Sequence, residues 1–418
     1  MASVLVASCS GGGSLGTASN AGSVSGTLIP PPTATGNTLA VAVDAGPVPN
    51  VSQINVAYVS VTVCPPYTTP GTVACQTIDH VALDTGSSGL RLLSSMLYSN
   101  LNLPAVTDTS GEAIGECVPF VVGTTWGSVR YADIYLGGEV ARNVPIQDIG
   151  DQPGGGRLDI PPDCASYGNI QDTQSQLGSN GILGVGLFQN DCDACLSEII
   201  AAAYYTCTTG SCANSTVSSA QVVQNPVALF AQDNNGVQID LPAVSSAGDT
   251  ILNGALIFGI GTEANNQLGS ATVYTIDTNV NDLTTYGDFT TTYKGTALPG
   301  YIDSGSNALF FNDSTITLCS PNNPNDPWYC PPSTMTLTAT NSSYGSSSGV
   351  VVSTPTPTIV NADNLFTNAS VLAGNIGGWA GSPVFAWGLP FFFGRPVFTA
   401  IQGVTPPAGV PAGPYFAY

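Results

Sequence analysis

Apolar and polar residues alternate along much of this chain. Leu39-Ala40-Val41-Ala42-Val43 and the longer run Ile54 to Val63 follow the period of two that turns one face of a strand toward a core. They lead, through a stretch bracketed by Cys64 and Cys75, into Val81-Ala82-Leu83-Asp84, a short apolar run ending in a carboxylate. Phe120-Val121-Val122-Gly123 and Ser128 to Gly138 predict a hairpin. Gly181-Ile182-Leu183-Gly184-Val185-Gly186 traps apolar residues between glycines, the form of a strand passing through a crowded backbone site. Leu196 to Tyr205 tolerates a short helix, and Asp233-Asn234-Asn235-Gly236 predicts a tight turn. The strand pattern resumes at Ala255 to Thr262, Ala271 to Ile276 and Phe385 to Ile401. Val371 to Phe398 is the most apolar stretch, but Pro383, Pro390, Arg395 and several glycines interrupt it, so it reads as core strands rather than a membrane span.

Composition strengthens the β reading. The 48 glycines and 31 prolines are spread along 418 residues and punctuate the chain too often for long helices. Charged residues are only 8%, against roughly 25% in an average soluble protein. With 27 acidic and 6 basic residues the formal net charge is −21, which repels nucleic acid and anionic membrane surfaces. Few cations are available to pair with the carboxylates, so acid neutralises repulsion while breaking few ion pairs, and acid tolerance is expected.

Eleven cysteines point to an oxidising compartment. Val6-Ala7-Ser8-Cys9 has the form of a bacterial lipobox, in which the Cys is lipidated. The apolar run before it is short, as in a truncated signal, so residues 1–38 are expected to be a lipoprotein signal remnant and a flexible Gly/Ser/Pro tether. The other ten cysteines fall into neighbours: Cys64 with Cys75, Cys117 with Cys164, the group Cys192, Cys195, Cys207 and Cys212, and Cys319 with Cys330. Within the group of four, nested Cys192–Cys212 and Cys195–Cys207 bridges around a short helix are favoured over a CxxC bridge, though spacing alone leaves the pairing open.

The chemistry is concentrated in two copies of one phrase. Asp84-Thr85-Gly86-Ser87 and Asp303-Ser304-Gly305-Ser306 each follow an apolar run, and each half holds an apolar-Gly strand further on. A single such Asp is more often a turn residue than a catalyst; a matched pair reads as an internal duplication that brings two carboxylates together. The chain thus resembles the pepsin-type aspartic peptidases over nearly all of residues 50–418. Asp84 to Ser87, Ile182-Leu183-Gly184, Phe258-Gly259, Asp303 to Ser306 and Trp387-Gly388-Leu389-Pro390-Phe391 stand in that family's order. The lipobox, the Cys-rich insert and the Asp-Asn-Asn-Gly turn also resemble an uncharacterised family of bacterial envelope lipoproteins.

The resemblance implies an all-β, bilobal double barrel with pseudo-twofold lobes (39–232 and 233–418), a few short helices, and a cleft for an extended peptide or protein substrate. Asp84 and Asp303 would form the dyad. Thr85 and Ser304 would buttress the loops, Ser87 and Ser306 would bond the outer carboxylate oxygens, and Gly86 and Gly305 would permit close packing. No cofactor or metal is implied. The family's lid carries a Tyr supported by a Trp. Here the hairpin reads as short, Phe120 falls near the Tyr position with Trp126 as the alternative, and Arg91 stands at the Trp position, where a charge would depress the pKa of Asp84 if it came near. His80, the single histidine, reads as a strand-edge residue rather than part of a triad or zinc site.

Overall fold

The alternating runs become strands. The computed structural model describes residues 26–29, 36–66, 75–151, 160–280, 282, 284–323, 326–346, 357–366 and 372–418. In the first half these are β1 (Thr38–Val43), β2 (Ala57–Cys64), β3 (Gln76–Asp84), β4 (Ser88–Leu93), β5 (Ala113–Phe120), β6 (Gly123–Leu136), β7 (Glu139–Ile149), β8 (Gly181–Val185), β9 (Tyr204–Cys207) and β10 (Cys212–Asn214). In the second half they are β11 (Gly236–Leu241), β12 (Leu252–Phe258), β13 (Val273–Thr275), β14 (Phe289–Tyr293), β15 (Thr296–Ile302), β16 (Leu309–Phe311), β17 (Met335–Thr336), β18 (Ala339–Ser342), β19 (Thr358–Ile359), β20 (Gly377–Gly378), β21 (Phe385–Trp387), β22 (Arg395–Ala400) and β23 (Tyr415–Ala417). Helices among the described residues are single turns, so the fold is all-β.

The two halves repeat one topology. In the first, β3 runs parallel to β8, β8 antiparallel to β4, and β4 parallel to β7. In the second, β15 runs parallel to β21, β21 antiparallel to β16, and β16 parallel to β20. Both Asp loops therefore leave the end of a strand whose parallel neighbour is the apolar-Gly strand. The lobes are stitched together by β1, which pairs with β12 from Thr38↔Ile257 to Val43↔Leu252. Asn55 clamps them a second time: its buried amide donates to the carbonyls of Asn307 and Ala373, and its oxygen accepts from the Ala373 amide.

A shared apolar core runs from Val43, Leu83 and Leu183 into Phe258, Leu309 and Phe385. Phe311 stacks on Phe385 with ring centroids 4.9 Å apart, and Tyr293 meets Phe311 edge-on at 5.2 Å. Burying each such ring contributes roughly 1.5–3 kcal/mol, so the second lobe is held chiefly by aromatic packing behind its Asp loop.

Cys64–Cys75, Cys117–Cys164 and Cys319–Cys330 form as expected. The nested pairing does not. Cys192 bridges Cys195 and Cys207 bridges Cys212. The reason is that residues 204–214 form a hairpin rather than surrounding a helix. Cys207 and Cys212 are opposed across that ladder with Cα atoms 4.1 Å apart, while a 3-10 turn at Ala194–Leu196 folds Cys195 back toward Cys192. Cys9 and most of the expected tether lie outside the described residues; within it, the backbone of Ile29 pairs with that of Cys75.

Candidate active site

Asp84 ends β3 and Asp303 follows β15, so each is delivered by the buried end of a strand to the same point between the lobes. Both are buried, with 1% and 0% of their surface exposed. Each loop satisfies its own carboxylate in the same way. The Gly86 amide donates to Asp84 Oδ1 and the Gly305 amide to Asp303 Oδ1, both at 2.8 Å. The Ser87 hydroxyl donates to Asp84 Oδ2, and the Ser306 hydroxyl to Asp303 Oδ2 at 2.7 Å.

The residues between them exchange bonds across the junction. The Thr85 amide donates to Ser304 Oγ at 3.0 Å and the Ser304 amide to Thr85 Oγ1 at 2.9 Å. Ser304 Oγ donates onward to the Leu83 carbonyl, and Thr85 Oγ1 to that of Ile302. Glycine is needed at both loops: a Cβ on Gly86 would lie 2.8 Å from Asp303 Cγ, and one on Gly305 2.6 Å from Asp84 Oδ1. All eight dyad and support residues expected from the sequence are thus brought together.

The two carboxyl groups face one another, since a Cβ on Gly305 would lie 2.6 Å from Asp84 Oδ1 and 3.1 Å from Asp303 Oδ1, and two buried carboxylates so placed cannot both ionise at low cost. Burial, and next the proximity of Asp84, hold Asp303 well above the usual carboxylate range, outweighing the Ser306 and Gly305 donors. Asp303 and the Thr85–Ser87 loop open on a cleft of about 920 Å³ lined by Leu187 and Phe188 from one half and Tyr286, Leu298 and Val384 from the other. Phe188 stacks on Tyr286 across it at 4.7 Å.

Three expectations about the surroundings change. The lid is not short: β5 contributes eight residues, and its turn at Val121 and Val122 reaches the cleft. Phe120 lines an apolar recess beside Asp84 together with Gln171 and Ile182. Trp126 is no lid residue; it is buried against Tyr205 near the Cys117–Cys164 bridge. Arg91 does not approach the dyad either. It lies buried on β4, bound to Glu116 Oε1 at 2.9 Å, Asp191 Oδ2 at 2.8 Å and the Ser88 carbonyl. Its charge is consumed by those carboxylates. His80 is not at a strand edge but in the middle of β3, at an irregularity in its pairing with β2, 3.5 Å from Asp44 and 3.2 Å from Asp79.

Two cleft residues had no role in the sequence reading. Tyr301 lies two positions before Asp303, and strand alternation alone puts them on one face. Asp288 is found only through pairing: Phe289 stands opposite Gly300, which sets Asp288 opposite Tyr301.

A family model described as "Protein of unknown function (DUF3443)" matches residues 33–418. The chain belongs to this family. No curated protein matches the sequence. Among solved structures, this chain is similar to an aspartic proteinase from Irpex lacteus, at 16% identity and a TM-score of 0.48, covering 87% of this chain and 93% of that one. At that level the likeness carries no functional weight; the internal geometry of the DUF3443 dyad stands by itself.

Proposed function

We propose that this protein is an aspartic-type endopeptidase acting on extended peptides outside the cytoplasm. The observation that carries the reading is the pair of facing, buried carboxyl groups, held by matching loops beside the cleft. Asp303 holds the shared proton, and the other carboxylate takes one from a water lying between them. The water oxygen attacks the peptide carbonyl carbon as Asp303 protonates the carbonyl oxygen. The resulting gem-diol collapses, the C–N bond breaks, and the departing amine takes up a proton. The Thr85–Ser304 exchange keeps both loops in register, so little reorganisation is needed.

Five disulfides fit an extracytoplasmic protein, and among the described residues no helix is long and apolar enough to cross a membrane. Lipid anchoring through Cys9 to a bacterial cell envelope belongs to the same proposal, and mass spectrometry of the N-terminal peptide tests it.

A second reading, binding of a peptide, glycan or partner protein without cleavage, is favoured by one feature: Phe120 brings no hydroxyl to the lid. The two are separated by incubating purified protein with denatured casein between about pH 3 and 7, with and without pepstatin, beside Asp84→Asn. Pepstatin-sensitive cleavage that vanishes in Asp84→Asn is expected. Cleavage that survives the substitution overturns the assignment, and binding without any cleavage favours the second reading.

A further inference from the structure

One acidic group in the cleft wall is left without a partner. Among the described residues no backbone or side-chain donor is hydrogen-bonded to the Asp288 carboxylate, which is half-buried in the cleft wall. Other shielded acids accept at least one hydrogen bond, although single oxygens of Glu116 and Asp148 stay unpaired. Asp84 and Asp303 take amides and hydroxyls, Asp148 and Asp133 take arginines, and Asp313 takes Lys294 and Tyr293. Even the neighbouring Asp277 accepts from the Asn279 amide and the Thr285 hydroxyl. Across the ladder, the buried Tyr301 hydroxyl also has no hydrogen-bond partner. Both residues line the cleft on the Asp303 side.

A half-buried carboxylate with no protein donor, beside a buried phenol with no partner, forms an incomplete site, because a buried unpaired polar group such as the Tyr301 hydroxyl costs stability unless something completes it. Burial and the nearby Asp277 hold the Asp288 carboxyl up at about 8, so an arriving cation would find a group whose ionisation it alone offsets. Leu298 and Pro299 border the same wall and offer apolar surface for a methylene stem. Among the described residues no Lys, Arg or His lines the cleft to compete for the carboxylate.

We propose that Asp288, with the Tyr301 hydroxyl, forms a subsite for a basic side chain, lysine or arginine, of a peptide lying in the cleft. The kinetic arm of its test rests on the peptidase reading; the binding arm does not. Matched peptides carrying lysine, norleucine or glutamate at each position in turn are measured two ways. Binding to Asp84→Asn is followed by calorimetry, and kcat/KM is measured on the wild-type chain.

At one position lysine is expected to be preferred over norleucine by about tenfold or more, the usual worth of a charge-assisted bond in a shielded site. That ratio should collapse toward one in Asp288→Asn and persist in Asp288→Glu, with circular dichroism confirming that both variants are folded. Tyr301→Phe should reduce it less. A lysine preference in binding without cleavage keeps the subsite and removes the peptidase reading. Cleavage with equal use of lysine and norleucine, or a preference unchanged in folded Asp288→Asn, overturns the subsite.

Discussion

The Asp84–Asp303 pair and the Glu116–Asp191 pair begin from the same electrostatics. In each, two shielded carboxyl groups lie close together, and burial followed by the neighbouring carboxylate drives one member's pKa upward, Asp303 in the first and Asp191 in the second. What surrounds them differs. Glu116 and Asp191 enclose the Arg91 guanidinium, and Tyr204 donates to Asp191 at 2.8 Å while accepting from the Val223 amide. Asp84 and Asp303 have no cation, only amides and hydroxyls, and lie beside the cleft.

Coupled titration is therefore not itself a sign of chemistry. The Arg91 guanidinium offsets part of the charge on its partners and makes the first-lobe cluster a clamp joining β4, β5 and β9. Donors without charge leave the dyad free to exchange one proton, and the opening gives that proton somewhere to go.

The largest expected effect is on the open pair. Asp84→Asn or Asp303→Asn should lower peptide cleavage by about 10³-fold or more without altering the circular dichroism spectrum, whereas Glu116→Gln should keep cleavage within about tenfold. Equal loss of activity from a stable Glu116→Gln would erase the distinction between the pairs. On the closed pair, Arg91→Met leaves two buried carboxyl groups without their cation and should cost about 3–5 kcal/mol in denaturant unfolding at neutral pH. The loss should shrink near pH 4, where protonation removes the repulsion; a loss independent of pH would mean that packing, not charge, is what Arg91 supplies.

A moderate effect concerns pH. Asp148 is held up to about 7, burial and Asp151 outweighing its bond to Arg130, and Asp288 up to about 8. Both bind protons more tightly folded than unfolded, so their contribution is full below the ordinary carboxylate range near 4 and is lost as pH rises through 7 and 8. Asp313 acts oppositely: bonds from Lys294, Tyr293 and Thr315 overcome its desolvation and hold it down at about 2, so its stabilisation is present above about 4 and disappears as pH falls toward 2. Thermal unfolding between pH 2 and 9 should show a maximum on the acid side of neutrality. A maximum above pH 7 would contradict these shifts. The smallest effect should come from Phe120→Tyr, which returns a hydroxyl to the recess beside Asp84 and should raise kcat/KM a few-fold in the casein assay. Reduced activity would show that the recess is needed dry.

The two Asp loops could be read directly because all their requirements are local. A carboxylate at a strand end, an amide two residues on and a hydroxyl three residues on are fixed by backbone geometry. Gly86 and Gly305 are there because the opposite carboxylate leaves no room for a side chain. The three isolated cysteine pairs were legible for a similar reason. The lid was misjudged because the apolar run Phe120 to Gly123 looked like a strand, although its middle residues are the turn. The four clustered cysteines were misjudged because their pairing follows a hairpin register that spacing does not specify.

Strand alternation and turn chemistry act over two or three residues, so the β class, the duplicated Asp loops and the hydroxyls and glycines that complete them were legible along the chain. Only the tertiary structure decided which carboxylates Arg91 faces, how far the lid reaches and that Asp288 stands across from Tyr301. Each of these depends on strand register and on which faces are brought together over long separations, and a change of one residue in register would exchange every partner.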